Sequence, residues 1–216
     1  MQIEPMKGLE DVLLIKPDLH EDERGYFYEV FNEREFNEKT NNKYNFHALQ
    51  ENESKSSKFV FRGLHFQNPP HEQAKLVRVL KGAVVDFAVD IRKDSPTFGK
   101  SVDVLLTDGD KYQFFIPRGF AHGFIVVTDK AVFEYKCDNY YNKESEDGLR
   151  FDGEGIERVR LADSFSDTPF LEHLEDLLSL YAPADIIAKI EGRDELLDLL
   201  VLSEKDKNRT KTLKDL

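Results

Sequence analysis

Apolar and polar positions alternate most clearly in the middle of the chain. Over 83–92 the sequence AVVDFAVDIR puts Ala83, Val85, Phe87, Val89 and Ile91 on one face and Val84, Asp86, Ala88, Asp90 and Arg92 on the other. Successive side chains of extended backbone point to opposite sides, so this alternation predicts a half-buried strand. Segments of the same kind follow at 102–106, 112–116, 124–127 and 132–137. Turn signals separate them: Lys81-Gly82, Asp94-Ser95-Pro96, Asp108-Gly109-Asp110 and Pro117-Arg118-Gly119. Regularly spaced strands without helices between them predict a mainly β protein, an antiparallel sandwich or barrel.

The flanks read differently. A short helical pattern covers 32–39, with Phe36 among charges. Beyond Phe151 the alternation stops. Pro169 predicts a helix start, followed by Phe170, Leu171, Leu174, Leu177, Leu178 and Tyr181 at helical spacing. A second helical pattern runs over 184–200, interrupted at Gly192. The expectation is a single domain over 1–216: a barrel core at 1–154, a helical insertion at 155–200 on its outside, and a C-terminal segment at 201–216. By composition alone, the closing stretch SEKDKNRTKTLKDL reads as a charged, frayed tail.

Composition narrows the function classes. At 216 residues the chain is long enough to close a sizeable core, and 17 Phe with 8 Tyr suit a β-rich one. A formal charge of −12 argues against a nucleic-acid-binding surface, although a local cationic cluster for a small anion remains compatible. The single cysteine, Cys137, excludes an internal disulfide and suits a reducing compartment. No apolar run is long enough for a membrane helix. The N-terminal MQIEPMKGLEDV lacks the basic-then-apolar order of a signal peptide, so a cytoplasmic location is expected.

Two histidines have unusual neighbours. His65 lies in Arg62-Gly63-Leu64-His65-Phe66-Gln67, and His122 in Pro117-Arg118-Gly119-Phe120-Ala121-His122. A histidine among apolar residues is more often a hydrogen-bonded structural group than a catalyst. Here, however, Asp86 and Asp90 share one face of a neighbouring strand, and buried carboxylates require partners. The spacing Pro117-x-Gly119-x-x-His122 looks like half of a cupin metal motif. The other half needs a His-x-His pair, and Gln67 stands where the second imidazole would be, so no metal is expected. Taken singly, Tyr135 reads as a core tyrosine and Lys75 as a surface lysine.

Taken together, the motifs resemble one family. Asp22-Glu23-Arg24-Gly25-Tyr26-Phe27-Tyr28-Glu29, Gln50-Glu51-Asn52-Glu53-Ser54, Arg62-Gly63-Leu64-His65-Phe66-Gln67, Lys75-Leu76-Val77-Arg78, Asp86-Phe87-Ala88-Val89-Asp90-Ile91-Arg92, Ser95-Pro96-Thr97-Phe98-Gly99, Ile116-Pro117-Arg118-Gly119-Phe120-Ala121-His122-Gly123-Phe124 and Leu202-Ser203-Glu204-Lys205-Asp206 occur in the order of the dTDP-4-dehydrorhamnose 3,5-epimerase family. The resemblance covers about 1–155 and then 202–206. It implies a cupin or jelly-roll antiparallel β-barrel with peripheral helices. It further implies cofactor-independent epimerisation at C3 and C5 of a nucleotide-linked 4-keto-6-deoxy sugar. In that reading His65 resembles the base, Asp206 the carboxylate that orients it, Tyr135 the acid and Lys75 the enolate-stabilising cation, with Arg62 and His122 assisting. Arg24, Glu29, Gln50 and Asn52 match nucleotide and diphosphate contacts, some reaching across a homodimer.

Arg62 and His65 are three apart, which in an ideal strand points them to opposite faces; a bulge at Gly63 would bring both inward. The chain departs from the family at His20, where an aromatic residue usually stacks on thymine, and at Glu51 within the Gln-Asp-Asn motif. It departs most at 155–200, where the family has a short stretch containing Trp-Pro. Alternatives on the same scaffold are a 3- or 5-monoepimerase or a 3,4-ketoisomerase. A non-catalytic sugar-binding barrel is a third, but a binding module needs no acid–base pair.

Overall fold

The computed structural model describes residues 1–150, 156–158, 168–169, 176, 178–181 and 198–216. Two antiparallel sheets carry the fold. In the first, β1 (Gln2–Met6), β2 (Leu9–Lys16), β10 (Gln113–Ile116), β7 (Lys75–Lys81), β12 (Lys130–Cys137) and β5 (Gln50–Ser57) lie side by side in that order. In the second the order is β13 (Glu146–Gly148), β6 (Phe61–Gln67), β11 (Phe120–Val126), β8 (Ala83–Asp90), β9 (Lys100–Thr107), β14 (Glu157–Arg158) and β15 (Thr168–Pro169). A hairpin of β3 (His20–Asp22) and β4 (Gly25–Phe27) stands apart from both. The two sheets form a jelly-roll-like sandwich, the mainly β architecture that the resemblance implies. Among the described residues no helix is long and apolar enough to cross a membrane.

Three apolar layers hold the sandwich together. Between the sheets, Val77, Val79, Phe114 and Phe133 meet Val84, Ala88, Val102, Phe120 and Phe124. The outer face of the first sheet is covered by α1 (Glu33–Lys39) and the segment after it, where Phe36 and Phe46 pack on Phe115 with ring centroids 5.0 and 5.4 Å away. Asn32 caps this helix, its side chain accepting from Glu35 N at 3.1 Å, a contact worth about 1 kcal/mol. The outer face of the second sheet carries Phe61, Leu64, Phe66, Val85, Phe87 and Val89, and the C-terminal part of the chain covers it with Ile156, Leu178, Leu200 and Leu213.

That third layer corrects two expectations. β8 is buried on both faces, not one, because its odd-numbered residues meet the C-terminal cover while Val84, Asp86 and Ala88 face the space between the sheets. Thr168–Pro169 forms a strand paired with Glu157–Arg158, which itself runs parallel to β9, so Pro169 extends the sheet instead of opening a helix. Residues 178–181 are helical, as the spacing of Leu178 and Tyr181 predicts, and both pack on the outer layer. The helical expectations at 170–175 and 184–197 lie outside the described residues.

The closing stretch is not frayed. Ser203 caps α2 (Glu204–Lys207), Leu213–Asp215 form a 3-10 turn, and Leu213 is buried. Val201 bridges to Val60 beside β6, and Arg150 N donates to Lys211 O at 2.8 Å. These contacts dock the segment at the end of the sandwich where β6 meets β13.

Candidate active site

The site forms at one end of the space between the sheets, where β5, β7 and β12 face β6, β8 and β11. β6 changes parity on the way. Phe61, Leu64 and Phe66 all face the outer layer, so Arg62 and His65 both face inward. The register against β11 accounts for this: His65 pairs with His122 and Arg62 with Phe124, three residues on β6 against two on β11. The expected bulge is therefore present at Gly63. Glycine is required there, since its φ is +151° and a Cβ would stand 2.6 Å from the Gly123 Cα.

His65 Nε2 meets Asp206 Oδ1 at 2.6 Å across 141 residues of sequence. The insertion therefore leaves the C-terminal motif in reach of β6. Asp206 is only 4% exposed. Burial alone would raise its carboxyl, but the hydrogen bonds from His65, Ser203 and Arg209 outweigh that and hold it below the ordinary carboxylate range. Ser203 Oγ donates to the second oxygen at 2.8 Å while accepting from Asp206 N, so the helix cap also positions the carboxylate.

Two cavities share His65. One of about 160 Å³ is lined by Gln50, Asn52, Lys75, Tyr135, Tyr141 and Glu146 among others. The second, about 350 Å³, is lined by Arg62, Ser203, Lys205 and Asp206 with Val60 and Val201. Burial pushes Lys75 below the usual lysine range against the pull of Cys137, Asp86 and Glu146, and its ammonium lies 5.9 Å from the Tyr135 ring centroid. Burial pushes Tyr135 up, so its phenol keeps its proton. Asn52 offers a buried Nδ2 with no hydrogen-bond partner among the described residues, while its Oδ1 accepts from Gln50 Nε2 at 3.0 Å.

Behind this wall lies a second pair. His122 Nε2 is 2.9 Å from Asp86 Oδ1, and the other oxygen of Asp86 is buried without a hydrogen-bond partner among the described residues. Burial pushes the Asp86 carboxyl up and the His122 imidazole down, and the contact between them opposes both. Asp86 thus has the partner its placement demanded. Asp90 has others, accepting from Arg92, Ser95 and Thr97 in the loop that follows β8. Gln67 Oε1 accepts from Asn142 N at 3.1 Å, a structural duty at the position where a metal motif would need a second histidine. Among the described residues no group of three His, Cys, Asp or Glu is arranged to hold a metal ion.

The remaining sequence-derived residues lie elsewhere. Arg24 is 83% exposed on the β3–β4 hairpin and pairs with Asp22. That hairpin lines its own cavity of about 340 Å³, none of whose residues borders the two cavities around His65. Glu29 is exposed just beyond it. Arg209, Tyr141 and Glu146 were not singled out in the sequence, although Arg209 follows Asp206 at i+3, a spacing at which helical side chains meet.

Fold and site together define a jelly-roll-type sandwich with acid–base groups gathered between its sheets. The chain belongs to the dTDP-4-dehydrorhamnose 3,5-epimerase family, whose sequence model matches residues 6–214. A curated relative of that name from Shigella flexneri is 51% identical over 146 residues, 68% of this chain and 80% of its own length. A crystal structure of such an epimerase from Elizabethkingia anophelis NUHP1 has a TM-score of 0.74 at 41% identity, covering 100% of this chain and 97% of its own. A crystal structure of a dTDP-6-deoxy-D-glucose-3,5-epimerase from Legionella pneumophila Philadelphia 1, in complex with dTDP-4-keto-L-rhamnose, matches with a TM-score of 0.74 at 35% identity over 99% of this chain and 93% of its own.

Proposed function

We propose that this chain epimerises a dTDP-linked 4-keto-6-deoxy hexose at C3 and C5, giving dTDP-4-keto-L-rhamnose. The observation that carries the reading is the His65–Asp206 contact opening onto a cavity that also holds Tyr135 and Lys75. A proton on the carbon beside a ketone becomes acidic only if the enolate oxygen is stabilised, a base is in reach and an acid waits on the other face. His65 is the base. Asp206, kept ionised, fixes the imidazole tautomer and stabilises the imidazolium that forms. Lys75 supplies positive charge to the enolate oxygen, with Arg62 and His122 assisting. Tyr135 donates its own proton to the opposite face, leaving imidazolium and phenolate that re-equilibrate with solvent before the next proton is taken; its raised pKa suits an acid that must stay protonated until the carbanion forms. Gln50 and the unpartnered Nδ2 of Asn52 offer polar contacts to the bound nucleotide sugar. No step calls for a metal or organic cofactor.

Arg24 and Glu29 serve a second copy in this reading. Tyr26 and Phe27, beside Arg24, are 56% and 73% exposed, as expected of a hairpin that docks on a partner. The active form is then a homodimer whose hairpins complete each other's nucleotide sites. Incubation with dTDP-4-keto-6-deoxyglucose tests the activity. NMR should show inverted configuration at both carbons of the product, and an unchanged sugar at high enzyme concentration would overturn the reading.

A further inference from the structure

We propose that Arg209 is a positioning residue for this reaction: its guanidinium fixes the Asp206 carboxylate against His65 and balances the charge of the pair. The inference rests on the reading in which His65 is the base. Arg209 Nε donates to Asp206 Oδ1 at 3.3 Å, the same oxygen that His65 meets at 2.6 Å. The other side of the fork faces β13, with Nη2 3.7 Å from Glu146 Oε1 and Nη1 3.9 Å from Asp147 Oδ1. The side chain is only 9% exposed, and Nη2 is buried without a hydrogen bond among the described residues. A buried guanidinium held by three carboxylates is costly to build and hard to move.

Space for it is provided by Gly148, where a Cβ would stand 2.6 Å from the Arg209 Cζ. Gly148 pairs with His65 in the β13–β6 ladder, so the strand that admits the guanidinium also carries the base's neighbour. Arg209 therefore joins α2 and β13 around the His65–Asp206 contact. Other charges face the cluster: Lys205 pairs with Glu146 at 2.5 Å, Lys211 pairs with Asp147, and Arg62 lines the shared cavity with His122 behind it.

The chemical consequence is directional. Without the guanidinium, the negative charge of Asp206 acts on His65 uncompensated and stabilises the imidazolium. A higher pH is then needed before the base is neutral and able to accept a proton, so the acidic limb of kcat/KM moves up. With one of its donors gone the carboxylate still faces His65 but aims the imidazole less well, which lowers kcat while leaving nucleotide contacts untouched.

Arg209→Gln, Arg209→Lys, Lys207→Gln and Asp206→Asn, measured beside the wild-type full chain, test this. Arg209→Gln should lower kcat roughly tenfold with little change in KM, and should shift the acidic limb upward. Arg209→Lys should restore the limb because it restores the charge, but only part of kcat because an ammonium lacks the fork. Lys207, exposed and paired with Glu204, should matter to neither. A folded Arg209→Gln with wild-type kcat and an unmoved limb overturns the proposal. If that variant does not fold, a wild-type kcat in Arg209→Lys overturns it equally. Wild-type turnover that collapses in Asp206→Asn keeps the base assignment standing whatever Arg209 does, whereas an inert wild type overturns both.

Discussion

Lys75 enters the cavity with no ion pair or hydrogen bond among the described residues, and that solitude is what its proposed task requires. A paired ammonium would spend its charge on the partner; a bare one waits for an enolate oxygen. Because burial lowers the Lys75 pKa, the charge is lost as pH rises through a value below the ordinary 10.5. The rate should therefore fall on the alkaline side before the tyrosine, pushed above 10.0, gives up its proton. Lys75→Arg should move that limb upward in a pH–rate profile, and a limb that stays in place would remove Lys75 from the ionisation. His65→Ala should lower kcat by ~10² or more, the usual loss for a general base. Calorimetric titration with dTDP should change little, since the imidazole is assigned to chemistry. These roles were not legible from the residues singly. Lys75 resembles any surface lysine until β7 is known to face the space between two sheets, and Asp206 sits in a stretch whose charge suggests solvent. Only the ordered motifs pointed to them.

Two elements bring the site together, and each depended on something local. At β6 the bulge at Gly63 puts Arg62 and His65 on one side, a shift that alternation alone contradicts and the glycine permits. Gly63→Ala should lower both melting temperature and kcat, because a Cβ there meets the Gly123 backbone where φ is already left to glycine. A variant with wild-type stability and turnover would show that the bulge is dispensable. At α2, the Ser203 cap and Asp206 form one unit. Asp206→Asn should lower the melting temperature, because Arg209 and His65 lose a buried anion, yet leave the protein folded with kcat cut at least tenfold; loss of such an orienting carboxylate can reach ~10⁴. Glu204→Gln should be silent. The strands at 83–90, 100–107 and 130–137 were readable because apolar residues recur at every second position in each: Val85, Phe87 and Val89, then Val102, Val104 and Leu106, then Ala131, Phe133 and Tyr135. β5 was not, because QENESKSS is an edge strand with one buried residue, and edges carry polar side chains that hide the pattern.

At the scale of the molecule, the C-terminal part of the chain turns an ordinary sandwich face into a third buried layer and brings Asp206 to His65 in the candidate site. Its composition predicted an appendage; its contacts make it part of the core, which is why β8 lost its exposed face. The exposed hairpin carrying Arg24 argues for a partner in the same way: Arg24→Ala should raise KM with kcat less affected, and sedimentation should report a dimer. Prolonged EDTA treatment should leave turnover intact, because Gln67 is engaged with Asn142 and no ligand cluster surrounds His122 among the described residues. The central claim is proton exchange at both carbons flanking the ketone. Incubating dTDP-4-keto-6-deoxyglucose with the enzyme in deuterated water and reading the sugar by NMR measures it directly. The account predicts deuterium at C3 and at C5, with both labels lost in His65→Ala. Label at a single carbon, or label at both that survives in His65→Ala, would contradict it.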